Sequence, residues 1–265
     1  MIGSVPRRRS FLTALATTLV LALPLVALPL APPAWGSTPY SSGAAVVTKR
    51  VIGHSVTGRP IVAYRLGEPG RPVAVAISAM HGNEARPRLI LEALRDGTPI
   101  VGVDLWVIPT YNPDGVARGT RKNARGVDLN RNFPYHWADL DGSYESGPRA
   151  GSEPETRAVM RFLRTVQPRW IVSFHQPLNG VDLDTKNRRF AARLADKLHL
   201  PRKVFDCGGV CHGTMTGWYN HHFAGSAVTV EYRASETRYR MKVAAPRQLL
   251  AALGARFRSW MIFSG

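Results

Sequence analysis

Cysteine is nearly absent from this 265-residue chain: only Cys207 and Cys211 occur, with Gly208, Val210 and Gly209 between them. So few thiols exclude a disulfide-dense scaffold. At this spacing they are read as a short-loop disulfide in an oxidising compartment. A metal site built from the two thiolates and His212 is the alternative, but no further ligands stand nearby at a suitable spacing. Acids are also scarce, 18 against 35 Lys and Arg, for a formal net charge of +17. That balance suits an anionic environment such as a wall polymer or a phospholipid surface. It argues against nucleic acid as the partner, because the basic residues are scattered rather than clustered. Long apolar runs are missing beyond the N-terminal region, so no integral membrane span is expected once that region is removed.

What the N terminus does hold is Arg7-Arg8-Arg9, an uncharged apolar run from Phe11 to about Leu30, and a Pro- and Ala-rich stretch. This order reads as a signal peptide over residues 1–36. Arg8-Arg9-Ser10-Phe11-Leu12 further fits the twin-arginine type, which exports proteins already folded. An ordinary secretory signal and a retained anchor are the other readings. An exported location, extracellular or wall-associated, is the expectation. Residues 37–50 read as a linker of small and polar residues, and 51–265 as one domain.

Within that domain Val51 to Gly53 and Ile61 to Arg65 read as a hairpin around Ser55 to Arg59, with His54 a surface histidine at its turn. Buried-type strands follow at 73–79, 101–110, 170–174 and 227–232. They alternate with helices at 88–94, 154–166, 186–198, 213–222 and 244–262. Tyr111 to Gly115 reads as a turn, and Ser152 with Glu155 as a capping box opening the 154–166 helix. Such alternation predicts an α/β fold, a mixed, largely parallel central sheet flanked by helices. Functional groups in such a sheet gather at the carboxyl ends of its strands.

Two of those ends carry His81, with Glu84 three residues on, and His175. Two histidines and one carboxylate make a zinc ligand set that leaves a further position for water. A single histidine after a strand is otherwise an ordinary hydrogen-bonded residue. His81-Gly82-Asn83-Glu84 is accompanied, in order, by Asn112-Pro113-Asp114-Gly115, Arg121, Asp128-Leu129-Asn130-Arg131-Asn132-Phe133-Pro134, Ser152-Glu153-Pro154-Glu155-Thr156 and Val228-Thr229-Val230-Glu231. In these motifs the chain resembles the carboxypeptidase A-type zinc peptidases, and within them the bacterial murein peptide amidases, from about residue 50 onward.

The resemblance implies a zinc carboxypeptidase-like (phosphorylase/hydrolase-like) architecture, one Zn²⁺ on His81, Glu84 and His175, and Glu231 as general base. It implies that Arg121 stabilises the oxyanion and that Asn130 and Arg131 grip the carboxylate of the released residue. Asp128 would accept the outer N–H of a zinc histidine. Arg125 reads as a solvated charge. Thr216 falls where the specificity pocket is floored, whereas the position of the family's capping tyrosine falls on Gly209, so no such tyrosine carries over. His221 and His222, beside that pocket, read as surface or core histidines. The implied reaction is hydrolysis of an amide next to a free carboxylate, in a murein peptide between the γ-carboxyl of D-glutamate and diaminopimelate. Carboxypeptidase action on ordinary peptides is the alternative. An N-acyl amino acid deacylase shares two of the motifs, and a wall-binding protein without activity would be expected to lack a ligand or the base.

Overall fold

In this computed structural model the described residues are 45–207, 209 and 211–258. The expected signal peptide, most of the linker and the last residues of the expected closing helix lie outside them. β1 (Val46–His54) and β2 (Pro60–Gly67) form an antiparallel hairpin, so five residues assigned to the linker are strand. His54 is exposed at its end. β3 (Val73–Ile77), α1 (Arg88–Arg95), β4 (Ile100–Val101), β5 (Asp104–Ile108) and α2 (Pro113–Arg118) follow. Then come α3 (Pro154–Val166), β6 (Trp170–His175), β7 (Gly180–Asp182), α4 (Arg188–Leu198) and β8 (Arg202–Lys203). The described chain ends with α5 (Met215–His222), β9 (Ser226–Glu231), a π-turn at Arg240–Ala244, α6 (Ala245–Ala252) and β10 (Arg256–Phe257).

Eight strands make one sheet in the order β1-β2-β5-β3-β6-β9-β7-β8, and β4 pairs with β10 separately. The central pairs β5-β3, β3-β6 and β6-β9 are parallel. Pleating sends alternate side chains to opposite faces. Ala74, Ala76, Leu105, Val107, Val172, Phe174, Val228 and Val230 pack with residues of α1, α4 and α6. Val75, Ile77, Trp106, Ile108, Ile171 and Ala227 pack with residues of α3 and α5. The mixed α/β sheet with helices on both faces is therefore the architecture the alternation predicts. From β3 the chain crosses through α1 to β5 on one side, then returns through α3 to β6 on the other. The reversal between β3 and β6 is a topological switch point, where open α/β sheets place ligands.

Several boundaries differ from the sequence reading. The 101–110 strand is two, β4 and β5, separated at Gly102 and Val103. Residues 113–118 are a helix rather than a turn, because Asn112 caps it through Gly115 N–H (2.9 Å) and Pro113 occupies its first position. No capping box opens α3. Its cap position is Glu153, while Ser152 Oγ donates to Glu153 Oε1 (2.7 Å) and Glu155 accepts from Val56 N–H (3.0 Å) on the hairpin turn. The closing helix stops at Ala252 rather than running to 262. Gly254 has φ 74°, a conformation that ends helices, and Phe257 then pairs with Ile100.

Candidate active site

The loop leaving β3 is fixed by its neighbours before its side chains do anything. Ser78 Oγ donates to Pro109 O (2.7 Å), Asn112 N–H donates to Ala79 O (3.0 Å), and Asn112 Nδ2 donates to Met80 O (3.2 Å). Gly82 lies so close to Gly115 of α2 that a Cβ on it would overlap the Gly115 carbonyl carbon. The glycine of His81-Gly82-Asn83-Glu84 is thus needed for backbone-to-backbone contact.

His81, Glu84 and His175 are all buried, and one ligand atom from each lies within 4.8 Å of the others. His81 Nδ1 is 2.8 Å from Glu84 Oε1 and His175 Nδ1 is 2.9 Å from Glu84 Oε2. Their outer nitrogens are already engaged. His81 Nε2 donates to Asp128 Oδ1 (3.0 Å), and His175 Nε2 lies 3.0 Å from Ser173 Oγ. Both Nδ1 atoms therefore face one point beside a carboxylate, an arrangement that fits a zinc ion by donor type and by the support of each ring. Burial alone would pull the His81 imidazole down, but Glu84 and Asp128 outweigh it and raise its pKa to about 9. Burial opposes ionisation of Glu84 and Asp128 too, yet the histidines hold both carboxyls well below the usual range, with Arg121 adding to this at Asp128.

The segment from Arg121 to Asn132 has little regular structure beyond a single 3₁₀ turn at Leu129–Arg131. Asn123 holds it. Its Oδ1 accepts from the N–H groups of Arg125 (3.0 Å) and Val127 (3.1 Å), and its Nδ2 donates to Glu153 Oε2 (2.8 Å) and Glu155 Oε2 (3.2 Å). From this loop Arg121 reaches Asp128 (2.8 Å) and Glu84 (3.4 Å), placing a fixed positive charge beside the ligand set. Asn130 Oδ1 accepts from Met215 N–H (3.0 Å) at the start of α5. Arg131 is buried, and its Nη1 donates to Asn130 O (2.8 Å). Arg125 is exposed, as a solvated charge should be, though 3.7 Å from Glu153.

Glu231, the last residue of β9, is directly across from His175 in the β6-β9 register. Its Oε2 accepts from Leu178 N–H (3.1 Å). Burial pushes its carboxyl above the ordinary value, partly offset by His175. One pocket of about 680 Å³ is lined together by His81, Glu84, Arg121, Asn130, Arg131 and Glu231. His175 lines it as well, and so does Thr216, half-buried on α5. Cys207 and Cys211, joined in a disulfide, line the same pocket where the sequence offers no capping tyrosine. His221 and His222 are exposed; His221 stacks on Tyr135 with ring centroids 4.2 Å apart.

Sequence reasoning missed two residues that touch this machinery. Ser173 supports His175, and its only signal was its place two residues earlier on the same face of β6. Tyr144 lies over Arg121 and Arg131 from a segment without periodicity, and nothing local announces that contact.

A family profile described as zinc carboxypeptidase matches residues 41–178. Murein peptide amidase A of Escherichia coli (strain K12) is 34% identical over 181 residues, covering 63% of this chain and 74% of the relative. A murein-tripeptide amidase from Escherichia coli O157 superimposes with a TM-score of 0.63 at 27% identity, over 80% of this chain and 93% of that one. Carboxypeptidase A from Helicoverpa armigera shares the fold, with a TM-score of 0.65 at 19% identity over 79% and 68% of the two chains.

Proposed function

Since this chain belongs to the zinc carboxypeptidase family and is a metallopeptidase, we propose that it is an exported amidase acting on murein peptides. The bond cleaved joins the γ-carboxyl of D-glutamate to diaminopimelate, an amide next to a free carboxylate. His81 Nδ1, Glu84 and His175 Nδ1 would hold one zinc ion. Zinc bound there supplies a water of pKa about 7 and polarises the scissile carbonyl. Glu231 takes the proton of the attacking water and returns it to the leaving amine, a role that burial favours by keeping the carboxyl basic. Arg121 meets the negative charge that develops on the carbonyl oxygen. Asn130 and Arg131 take the carboxylate of the released residue, Arg131 through a guanidinium fork suited to it. Thr216, on the same wall, contacts the polar end of the released side chain. Asp128 and Ser173 fix the two imidazoles.

The observation that carries this reading is the single pocket in which the ligand set, Glu231 and the two arginines converge. The amidase relatives support the choice of substrate. Incubating the zinc-loaded protein with a γ-D-glutamyl-diaminopimelate muropeptide should release diaminopimelate, detected by mass spectrometry. Release only from α-linked C-terminal residues of ordinary peptides would replace this substrate with that of a general carboxypeptidase. For export, an Arg8→Lys, Arg9→Lys double variant should accumulate in the cytoplasm; unchanged fractionation would count against the twin-arginine route.

A further inference from the structure

Arg121 and Arg131 stand side by side, and something must keep two like charges in one place. Arg131 is 5% exposed, and burial lowers its pKa, with Asp128 opposing and Arg121 lowering it further. Its Nη1 donates one hydrogen bond to Asn130 O, while its buried Nε has no hydrogen-bond partner in the protein. Arg121 is tethered by Asp128 and Glu84. Besides the Asp128 carboxylate, which faces both, they share a ring: Tyr144 lies with its centroid 5.0 Å from Arg131 Cζ and 5.6 Å from Arg121 Cζ. An aromatic face attracts a cation through its quadrupole, so one ring lying over two guanidiniums lowers the cost of their proximity and restricts Arg131, the one no carboxylate tethers through a hydrogen bond.

The backbone holding Tyr144 is anchored to the same segment that carries the arginines. Asp128 N–H donates to Glu145 O (2.7 Å), Asn132 Nδ2 donates to Ser146 O (2.8 Å), and Lys122 Nζ donates to Gly142 O. Tyr144 is nevertheless 39% exposed and lines the pocket. A ring kept in the cleft at such exposure does little for the core. We infer that Tyr144 is a positioning residue: it holds Arg131 in place as the carboxylate clamp, beside the Arg121 that Asp128 and Glu84 already tether, and so sets the preference for substrates with a free carboxylate. This rests on the carboxylate-binding role proposed for Arg131 and adds the part that shapes it.

The test uses the zinc-loaded full chain as wild type, Tyr144→Phe, Tyr144→Leu and Tyr144→Ala. Its substrates are a γ-D-glutamyl-diaminopimelate tripeptide and the analogue whose carboxylate beside the cleaved bond is a carboxamide. Tyr144→Ala and Tyr144→Leu should raise KM for the free acid roughly three- to tenfold with kcat nearly unchanged. Tyr144→Phe should restore the wild-type KM, since the ring face and not the hydroxyl does the holding. The carboxamide should be cleaved equally by all four. An unchanged KM in Tyr144→Ala, an equal loss on both substrates, or no rescue by phenylalanine would overturn the inference. Wild type indifferent to the carboxamide would sink the clamp reading along with it, whereas wild-type preference persisting in Tyr144→Ala would sink this inference alone.

Discussion

At the scale of single residues, the site depends on one glycine as much as on its ligands. Gly82→Ala would force its methyl into the Gly115 backbone and move the His81 loop, since neither partner is a flexible side chain. The expected result is a loss of bound zinc together with a destabilisation of about 1–3 kcal/mol, read by metal analysis and thermal melting. Glu231→Gln should behave differently. It keeps an acceptor for Leu178 N–H and removes none of the three groups proposed to hold the metal, so zinc content should stay at wild-type level while kcat falls about 10²- to 10⁴-fold. Retained activity in that variant would remove Glu231 from its role. His81, Glu84, His175 and Asp128 were legible in the sequence because short motifs at strand ends tie them to chemistry. Ser173 and Tyr144 were not, because a hydroxyl on a strand and an aromatic in a loop look the same whether or not they support a site.

At the scale of elements, the alternation of buried strands and amphipathic helices was enough to give the sheet and its faces, but local signals misplaced what tertiary contacts own. Ser152 and Glu155 have the spacing of a capping box, yet Glu155 is drawn to Val56 and Asn123, partners distant in sequence. Glu155→Ala should therefore cost more than a lost cap. It orphans the Val56 N–H and loosens the Arg121–Asn132 segment, for about 2–4 kcal/mol by denaturant titration. The hairpin turn is also tied to α2, where Asp114 accepts from Thr57 N–H (3.0 Å) and from the Thr57 hydroxyl. Burial raises the Asp114 carboxyl, but these hydrogen bonds and Arg59 outweigh it and leave it below its ordinary value. A depressed folded-state pKa adds stability above the unfolded value of about 3.9, stability that is lost as pH falls through the folded one. Asp114→Asn should consequently flatten the acid limb of the stability curve and leave its neutral-to-alkaline shape unchanged.

At the scale of the whole molecule, the two histidines proposed to hold the metal sit on either side of the switch point between β3 and β6, and Glu231 sits one strand further on. Removing the metal should leave the sheet intact, because the two cores on its faces are built from apolar side chains that need no metal to pack. Far-ultraviolet circular dichroism after chelation should keep its native shape, while the melting temperature drops and returns on adding zinc. At metal a hundredfold above Kd the ligation would contribute about 2.7 kcal/mol. The same layout has a consequence for biogenesis. His81 and His175 are brought together only when β3 and β6 pair, so an unfolded chain offers no formed site and metal capture follows folding. Divalent ions bind such sites in an order set by their own chemistry, with copper ahead of zinc. The compartment in which the sheet closes, and the metals available there at that moment, therefore decide which ion the enzyme carries through its working life.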